Sequence, residues 1–397
     1  MFNKRMYVAT IIAIAGLLLL ITATAVASSH LSTIEELGKA VFFDENLSAN
    51  ANQSCASCHG PEVGWTGPIS DINVQGAVYE GSILGEFGNR KPPSAAYATL
   101  SPILHMDKKG LFVGGNFWNG RATGEKLGNP AADQAQFPFL NPVEQALADP
   151  ADVVTRVCAA SYGDLFREVW GTEACDSSDV EMAYDQIALS IAAYEASVDV
   201  NAFTSKYDYT FQGLAKLTKE EQRGFALFQG KGKCKLCHPS GKEALFTDFT
   251  FDNLGVPKNP ENPVYDVEPG FIDTGLGGYL QSVGYDEEIY MAEWGKQKVP
   301  TLRNVGLRPD DDFVKAYGHN GYFKSLEGIV HFYNTRDVLP TCPGDYTEAE
   351  ALAADCWPAP EVPENVNTDE LGDLGLSSEE EAAIVAFLKT LSDGYMP

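Results

Sequence analysis

The sequence predicts a mainly α-helical protein built from two related domains, with long loops between the helices. Three observations lead to this prediction. The motif Cys-x-x-Cys-His occurs twice, at 55–59 and at 234–238. A helical segment with a Ser/Thr cap and a mid-helix glycine precedes each copy, which indicates an internal duplication. The length of 397 residues exceeds that of one ordinary domain.

The helix before each motif has its own start signal. Thr33 and Glu36 form a predicted capping box, and the helix continues to Phe43 ahead of the first motif. Thr218 and Glu221 form a second capping box, followed by a Leu/Phe-rich segment that ends at the second motif. The two segments therefore predict equivalent helices in the two domains.

Further elements set the expected boundaries. A helix over 180–198 is expected to end the first domain, so that the domains cover 28–200 and 201–397. Residues 240–300 are rich in Gly, Pro and Asp and predict loops with small strands. The segment 377–381 predicts the cap of a C-terminal helix with the sequence AAIVAFLKTL.

The first 27 residues read as an export signal. Lys4 and Arg5 precede an apolar run, and Ala25-Val26-Ala27 forms a small-residue cleavage site. The run is also long enough to serve as an uncleaved membrane anchor. We expect cleavage after Ala27 and a periplasmic protein.

Export changes how the eight cysteines are interpreted. Four belong to the two motifs. The other four form two pairs that are close in sequence, Cys158 with Cys175 and Cys342 with Cys356, and an oxidising compartment favours a disulfide in each. The Pro-rich stretch 340–363 is expected to be loop that the second disulfide holds.

The charge excludes one class of partner. The chain carries 55 acidic and 28 basic side chains, a formal net charge of −27. Nucleic acids and anionic lipids require a basic surface, so neither is expected. An acidic surface suits a basic protein partner, although many exported proteins are acidic simply because they are soluble.

Three chemistries use closely spaced cysteines. A thiol–disulfide enzyme needs a βαβ context, which is missing here, and it has no use for the adjacent histidine. Structural zinc needs a second ligand pair nearby, and the sequence has none at the usual spacing. Covalent attachment of a c-type haem uses both thiols for thioethers and the next histidine as an iron ligand. The sequence therefore predicts two haems, with His59 and His238 as proximal ligands. The predicted attachment residues are Cys55, Cys58, Cys234 and Cys237.

With these motifs, several further segments resemble the bacterial dihaem cytochrome c peroxidase family, including its MauG-like branch. The segments are FWNGRA at 117–122, QAQFPFLNPVE at 134–144, VPTLRNVG at 299–306, GHNGYFKSLEGIVHFYN at 318–334 and the closing AAIVAFLKTL. The resemblance covers nearly the whole mature chain. It implies two cytochrome c-like domains, each with one covalently attached haem: a peroxidatic haem in the N-terminal domain and an electron-transfer haem in the C-terminal domain.

The resemblance also implies roles around the first haem. Gln134, Pro138 and Glu144 keep the family's distal spacing, in which the carboxylate relays a proton and the glutamine hydrogen-bonds peroxide. Trp118 matches the tryptophan that the family places between the haems. Arg121, and His319 in the second domain, are expected to contact haem propionates or to brace the fold.

The first iron is expected to be open. Many members of the family carry a blocking histidine some sixteen residues after the first motif, and the corresponding stretch 71–80 contains none. His105, Met106 and Tyr79 remain alternative ligands for this site.

The second iron departs from the family pattern as well. Typical members use a methionine at the position of Tyr333, and a tyrosine there is the MauG-like choice; Met291 and His331 are the rivals. The family also binds calcium near a Pro-containing turn. Lys91 stands at the apparent ligand position, so calcium is doubtful here, and Asn89 is the substitute ligand.

The predicted function is the reduction of hydrogen peroxide to water in the periplasm. Electrons would enter through the second haem from a small donor protein, either a c-type cytochrome or a copper protein. The alternative is a MauG-like oxidase that modifies Trp or Tyr side chains of a protein substrate, and a pure electron carrier is a third possibility. A homodimer is compatible with the sequence.

Overall fold

The computed structural model describes residues 30–176 and 178–397. The described chain is mainly helical, as predicted, and its strands form two antiparallel pairs of two residues each. The helices are α1 (Thr33–Phe42), α2 (Ser70–Val74), α3 (Pro130–Ala135), α4 (Phe137–Leu140), α5 (Pro150–Ala159), α6 (Gly163–Trp170), α7 (Glu173–Asp176), α8 (Val180–Ala196), α9 (Lys206–Phe211), α10 (Lys219–Gln229), α11 (Val264–Val267), α12 (Gly275–Ser282), α13 (Glu287–Ala292), α14 (Leu326–Thr335), α15 (Glu348–Ala354) and α16 (Ser378–Lys389). The strands are β1 (His105–Met106) with β2 (Phe112–Val113), and β3 (Phe251–Asp252) with β4 (Gln297–Lys298).

The same helix crossing occurs twice. In the first half α1 packs on α8, and a Cβ at Gly38 would lie 1.8 Å from the Ser190 carbonyl oxygen. In the second half α10 packs on α16, and a Cβ at Gly224 would lie 1.8 Å from the Ala383 carbonyl oxygen. Each mid-helix glycine therefore lets two backbones touch, and the repeated contact supports the predicted duplication.

Two of the three predicted helix caps have the expected residues. Thr218 with Glu221 caps α10, and Ser377 with Glu380 caps α16. The first prediction is one residue off, because the capping box of α1 is formed by Ser32 and Glu35 instead of by Thr33 and Glu36. The Ser32 backbone N–H donates to Glu35 Oε2 at 2.6 Å.

The prediction of a loop over 340–363 is wrong in one part. Helix α15 lies inside this stretch and starts at its own capping box, in which Thr347 pairs with Glu350. Cys342 and Cys356 flank this helix at disulfide distance, with Cα atoms 5.2 Å apart. In the 240–300 segment the small strands are present together with the short helices α11, α12 and α13.

The structure also bears on the other predicted disulfide and on membrane-spanning helices. Cys158 and Cys175 also lie at disulfide distance, with Cα atoms 5.7 Å apart. The predicted signal over 1–27 lies outside the described residues. Within residues 30–176 and 178–397, no helix combines the length and apolar character that a bilayer crossing requires. The domain boundary at residue 200 stays a prediction.

Candidate haem and peroxide site

The two Cys-x-x-Cys-His motifs adopt the same local conformation. Each begins with a 3₁₀ turn, Cys55–Ser57 or Cys234–Leu236. The backbone N–H of His59 donates to the Cys55 carbonyl at 3.0 Å, and that of His238 donates to the Cys234 carbonyl at 2.9 Å. Both thiols and the imidazole of a motif therefore gather on one short turn.

A backbone carbonyl fixes each imidazole. The Nδ1 atom of His59 lies 3.1 Å from the Trp65 carbonyl oxygen, and that of His238 lies 2.7 Å from the Phe246 carbonyl oxygen. This contact selects the tautomer with a proton on Nδ1 and leaves Nε2 as the available ligand atom. Burial lowers the pKa of both histidines, which favours the neutral form that binds metals.

None of the four motif thiols forms a disulfide, and burial favours the protonated form of each. Burial raises the pKa of Cys55 and of Cys234 to about 12, and it raises the pKa of Cys58 and Cys237 as well. A redox dithiol needs an accessible cysteine with a lowered pKa. The electrostatics of the motifs therefore oppose a thiol–disulfide function.

Each motif opens into its own cavity. The first cavity, of about 220 Å³, is lined by Cys55, Cys58 and His59, and the second, of about 170 Å³, by Cys234, Cys237 and His238. Two thiols beside a neutral imidazole in a mostly apolar cavity are the donor set of a c-type haem. The residues present in both cavities fit that group.

The predicted distal residues lie together in the first cavity. Gln134, Pro138 and Glu144 all line it. Glu144 Oε2 accepts a hydrogen bond from Asn141 Nδ2 at 2.9 Å. Burial raises the pKa of the Glu144 carboxyl, while Asn141 and the charge of Arg121 partly oppose the shift. The carboxyl is thus poised to exchange a proton closer to neutral pH than an exposed one.

Trp118 lies between the two cavities and lines both. Arg121 lines only the first, where its guanidinium carbon lies 3.6 Å from the centre of the Phe117 ring. The alternative ligands predicted for the first iron differ in whether they line this cavity. Tyr79 lines the first cavity, whereas His105 and Met106 form the exposed strand β1 and are not among the lining residues.

The candidate ligands of the second iron differ in the same way. Tyr333 on α14 lines the cavity with His238, whereas Met291 and His331 are not among its lining residues. Burial, followed by the nearby Cys237, raises the pKa of Tyr333. His319 also lines this cavity, and its buried Nε2 has no hydrogen-bond partner among the described residues.

The Pro-containing turn at the apparent calcium position carries the ammonium group of Lys91. Lys91 Nζ is buried there and donates to Thr66 Oγ1 at 2.9 Å and to the Pro92 carbonyl at 3.0 Å. The backbone carbonyl of Asn89 accepts a hydrogen bond from Asn262 Nδ2 at 2.9 Å. The expectation that calcium is doubtful stays a prediction.

Sequence reasoning did not place three charged residues in the first cavity, although it named one of them, Lys91, at the apparent calcium position. Glu195 on α8 is 4% exposed, and burial raises its pKa to about 8. Lys91 and Lys298 also line the cavity, and burial lowers the pKa of each to about 7. Glu195 could have been noticed as the lone charge in the apolar run LSIAAYEASV. No local pattern marks the two lysines as cavity residues.

Comparison with known proteins identifies the family. A family model described as di-haem cytochrome c peroxidase matches residues 32–216. The methylamine utilization protein MauG of Paracoccus denitrificans (strain Pd 1222) is 36% identical over 370 residues, which cover 90% of this chain and 88% of that relative. The chain belongs to the di-haem cytochrome c peroxidase family.

Other similar members of the di-haem peroxidase family agree with this assignment. The cytochrome-c peroxidase IdrP2 of Pseudomonas sp. (strain SCT) is 28% identical over 364 residues, covering 90% of this chain and 80% of the relative. Among solved structures, the diheme peroxidase BthA from Burkholderia thailandensis E264 superposes with a TM-score of 0.75 at 29% identity, covering 92% of this chain and 87% of that one. The family resemblance predicted from the sequence is confirmed.

Proposed function

We propose that this chain is an exported, periplasmic di-haem c-type oxidoreductase that reduces hydrogen peroxide to water. Each half would form a cytochrome c-like domain with one covalently attached haem, and the two flanking cysteine pairs would be disulfides. A small c-type cytochrome or copper protein would supply the electrons. One observation carries the proposal: each motif presents a neutral imidazole and two thiols to its own cavity, and the first cavity also contains a buried carboxyl.

The residues that would hold the haems are those of the two motifs. Cys55 with Cys58, and Cys234 with Cys237, would form the thioethers, and Nε2 of His59 and of His238 would face the irons. A bound haem supplies one-electron and peroxide chemistry that amino-acid side chains lack. The protein's part is to orient the imidazoles and to exclude water.

The distal residues would manage protons and orientation. Glu144, held by Asn141, can accept a proton from one peroxide oxygen and deliver it to the other. Gln134 can donate a hydrogen bond to the developing negative charge. Arg121 favours the ionised carboxylate by its charge. Each of these side chains contributes through its placement in the first cavity.

Substitution of Glu144 tests the peroxide chemistry. We expect Glu144→Gln to lower peroxide turnover with a reduced small-molecule donor by about 10²–10⁴-fold, because the proton relay is lost. The absorption spectrum should stay unchanged. Glu86→Gln, an exposed change outside the cavity lining, is the matched control. Equal turnover in both variants would exclude Glu144 from the relay.

Haem attachment is tested separately. We expect haem to stay with the mature polypeptide after boiling in SDS, and the double variant Cys55→Ala/Cys58→Ala should retain one haem instead of two. A colourless wild-type polypeptide would refute the proposal at its base.

The sixth ligand of the second haem is proposed to be Tyr333. Of Tyr333, Met291 and His331, only Tyr333 lines the cavity of His238. An anionic oxygen ligand would lower the potential of that iron. We expect Tyr333→Phe to change the low-spin signal in the ferric EPR spectrum, while Met291→Leu should leave it intact.

A MauG-like oxidation of a partner protein is the second candidate function. The tyrosine in the second cavity favours it, as does the 36% identity to a MauG protein. The two functions differ in kinetics. Rapid steady-state turnover with a reduced cytochrome favours the peroxidase, and long-lived oxidising equivalents with slow turnover favour the modifying oxidase.

A further inference from the structure

Two lysines hold Trp118 through their backbones. The indole Nε1–H of Trp118 donates to the Lys91 carbonyl at 2.8 Å. The Lys298 backbone N–H donates to the Trp118 carbonyl at 2.7 Å. The tryptophan itself is 8% exposed and lines both cavities. Its position between the cavities is therefore fixed at the main chain and at the ring.

The partner of the indole N–H limits what Trp118 can do. An indole that loses an electron becomes much more acidic at nitrogen, and it releases the proton only where a base accepts it. A peptide carbonyl oxygen is not such a base near neutral pH. Oxidation of Trp118 would therefore remove an electron, leave the proton on Nε1, and produce a positive charge that stays on the ring.

The side chain of Lys91 places a cationic group beside that ring. Its Nζ lies 6.0 Å from the centroid of the Trp118 ring. Thr66 Oγ1 and the Pro92 carbonyl oxygen accept its hydrogen bonds, at 2.9 and 3.0 Å, and hold it in a site that is 7% exposed. Two unit charges 6 Å apart at an effective dielectric constant of about 20 shift an equilibrium by about a hundredfold.

We propose that Lys91 is a positioning residue whose charge sets how readily Trp118 gives up an electron. The inference rests on the proposed function, in which peroxide takes two electrons and two protons to form two molecules of water. Trp118 would lose one electron toward the first cavity and recover one from the second, with no bond formed or broken at the indole. The ammonium of Lys91 would keep the oxidised indole scarce and short-lived.

The test compares a neutral and a charged replacement. Lys91→Gln removes the charge and keeps an amide donor for Thr66 and Pro92, and Lys91→Arg keeps the charge. The readout is the amount of indole radical after one equivalent of peroxide, measured by rapid-freeze EPR with spin counting. Trp118→Phe identifies the part of the signal that belongs to this residue.

The comparison is made at pH 5, where the Lys91 side chain is protonated because its pKa of about 7 lies well above that pH. We expect at least tenfold more oxidised Trp118, relative to total oxidising equivalents, in Lys91→Gln than in wild type. Lys91→Arg should match wild type. Equal radical fractions in the Gln and Arg variants would overturn the inference. Should Lys91→Gln not fold, Thr66→Val removes one oxygen that holds the ammonium and should raise the fraction in the same direction.

The experiment separates this inference from the function on which it rests. A wild-type protein that peroxide does not oxidise refutes the proposed function alone. The same variants are then compared with photogenerated tris(bipyridine)ruthenium(III), a one-electron acceptor that needs no peroxide chemistry. With either oxidant, a larger fraction of oxidised Trp118 in Lys91→Gln than in Lys91→Arg and wild type supports the inference. Equal fractions overturn it.

Discussion

Replacement of Gly224 by alanine should open the crossing of α10 and α16. The added Cβ would lie 1.8 Å from the Ala383 carbonyl oxygen and 2.9 Å from Phe387 Cβ. An ordinary contact needs about 3.5 Å, so the two helices must separate by about 1.7 Å. The clashing oxygen belongs to the backbone of a helix and cannot rotate away.

The magnitude follows from two opposing effects. Overpacking a well-packed contact costs about 3 kcal/mol, and the better helix propensity of alanine returns about 1 kcal/mol. We expect Gly224→Ala to lose about 2 kcal/mol of the free energy of unfolding. Because α10 leads directly into the second motif, we also expect a lower yield of the second haem.

The assay is urea denaturation followed by far-UV circular dichroism, with the haem content measured per polypeptide. Gly241→Ala is the matched control, since nothing lies within 4 Å of a Cβ at that glycine. The reasoning fails if Gly224→Ala is within about 0.5 kcal/mol of Gly241→Ala, the usual range for a neutral surface change.

Three further outcomes are expected. Burial raises the pKa of Glu195 to about 8 in the folded chain, whereas the ordinary value is 4.5. Between these two pH values the folded state keeps a proton that the unfolded state releases. The free energy of unfolding should therefore fall by up to about 5 kcal/mol as pH rises from 4.5 to 8. Glu195→Gln should remove that slope in urea titrations at pH 5 and pH 8, and an unchanged slope would contradict the burial argument. The double variant Cys342→Ser/Cys356→Ser should lose about 3 kcal/mol, and reductant should then have no further effect through this pair. With Glu144 as the proton relay, peroxide turnover should fall as pH drops through its raised pKa, and the fall should be absent in Glu144→Gln.

Local patterns predicted the helices well where one signal was present. Ser377 with Glu380 is an unopposed capping box, and α16 starts there. At the N-terminus two overlapping signals compete, because Ser32 with Glu35 and Thr33 with Glu36 both match, and the structure uses the first. Helix α15 was missed because the many prolines of 340–363 outweighed the short capping box inside it.

The site was predictable to the extent that its residues lie in contiguous motifs. The two Cys-x-x-Cys-His turns and the Gln134–Glu144 segment were found because each is local in sequence. The contacts of Lys91 and Lys298 with Trp118 were not predicted, because they are backbone hydrogen bonds across 27 and about 180 residues of chain. Such contacts depend on the path of the chain and leave no pattern in any single segment.

The shared boundary between the cavities has a consequence for variation. Trp118, Lys298, Val299 and Pro300 belong to the lining of both cavities. A mutation in this common wall cannot reshape one compartment and spare its neighbour. Evolution, or a protein engineer, can therefore adjust the halves independently only at their outer sides, and every substitution in the partition must be judged by its effect on two compartments at once.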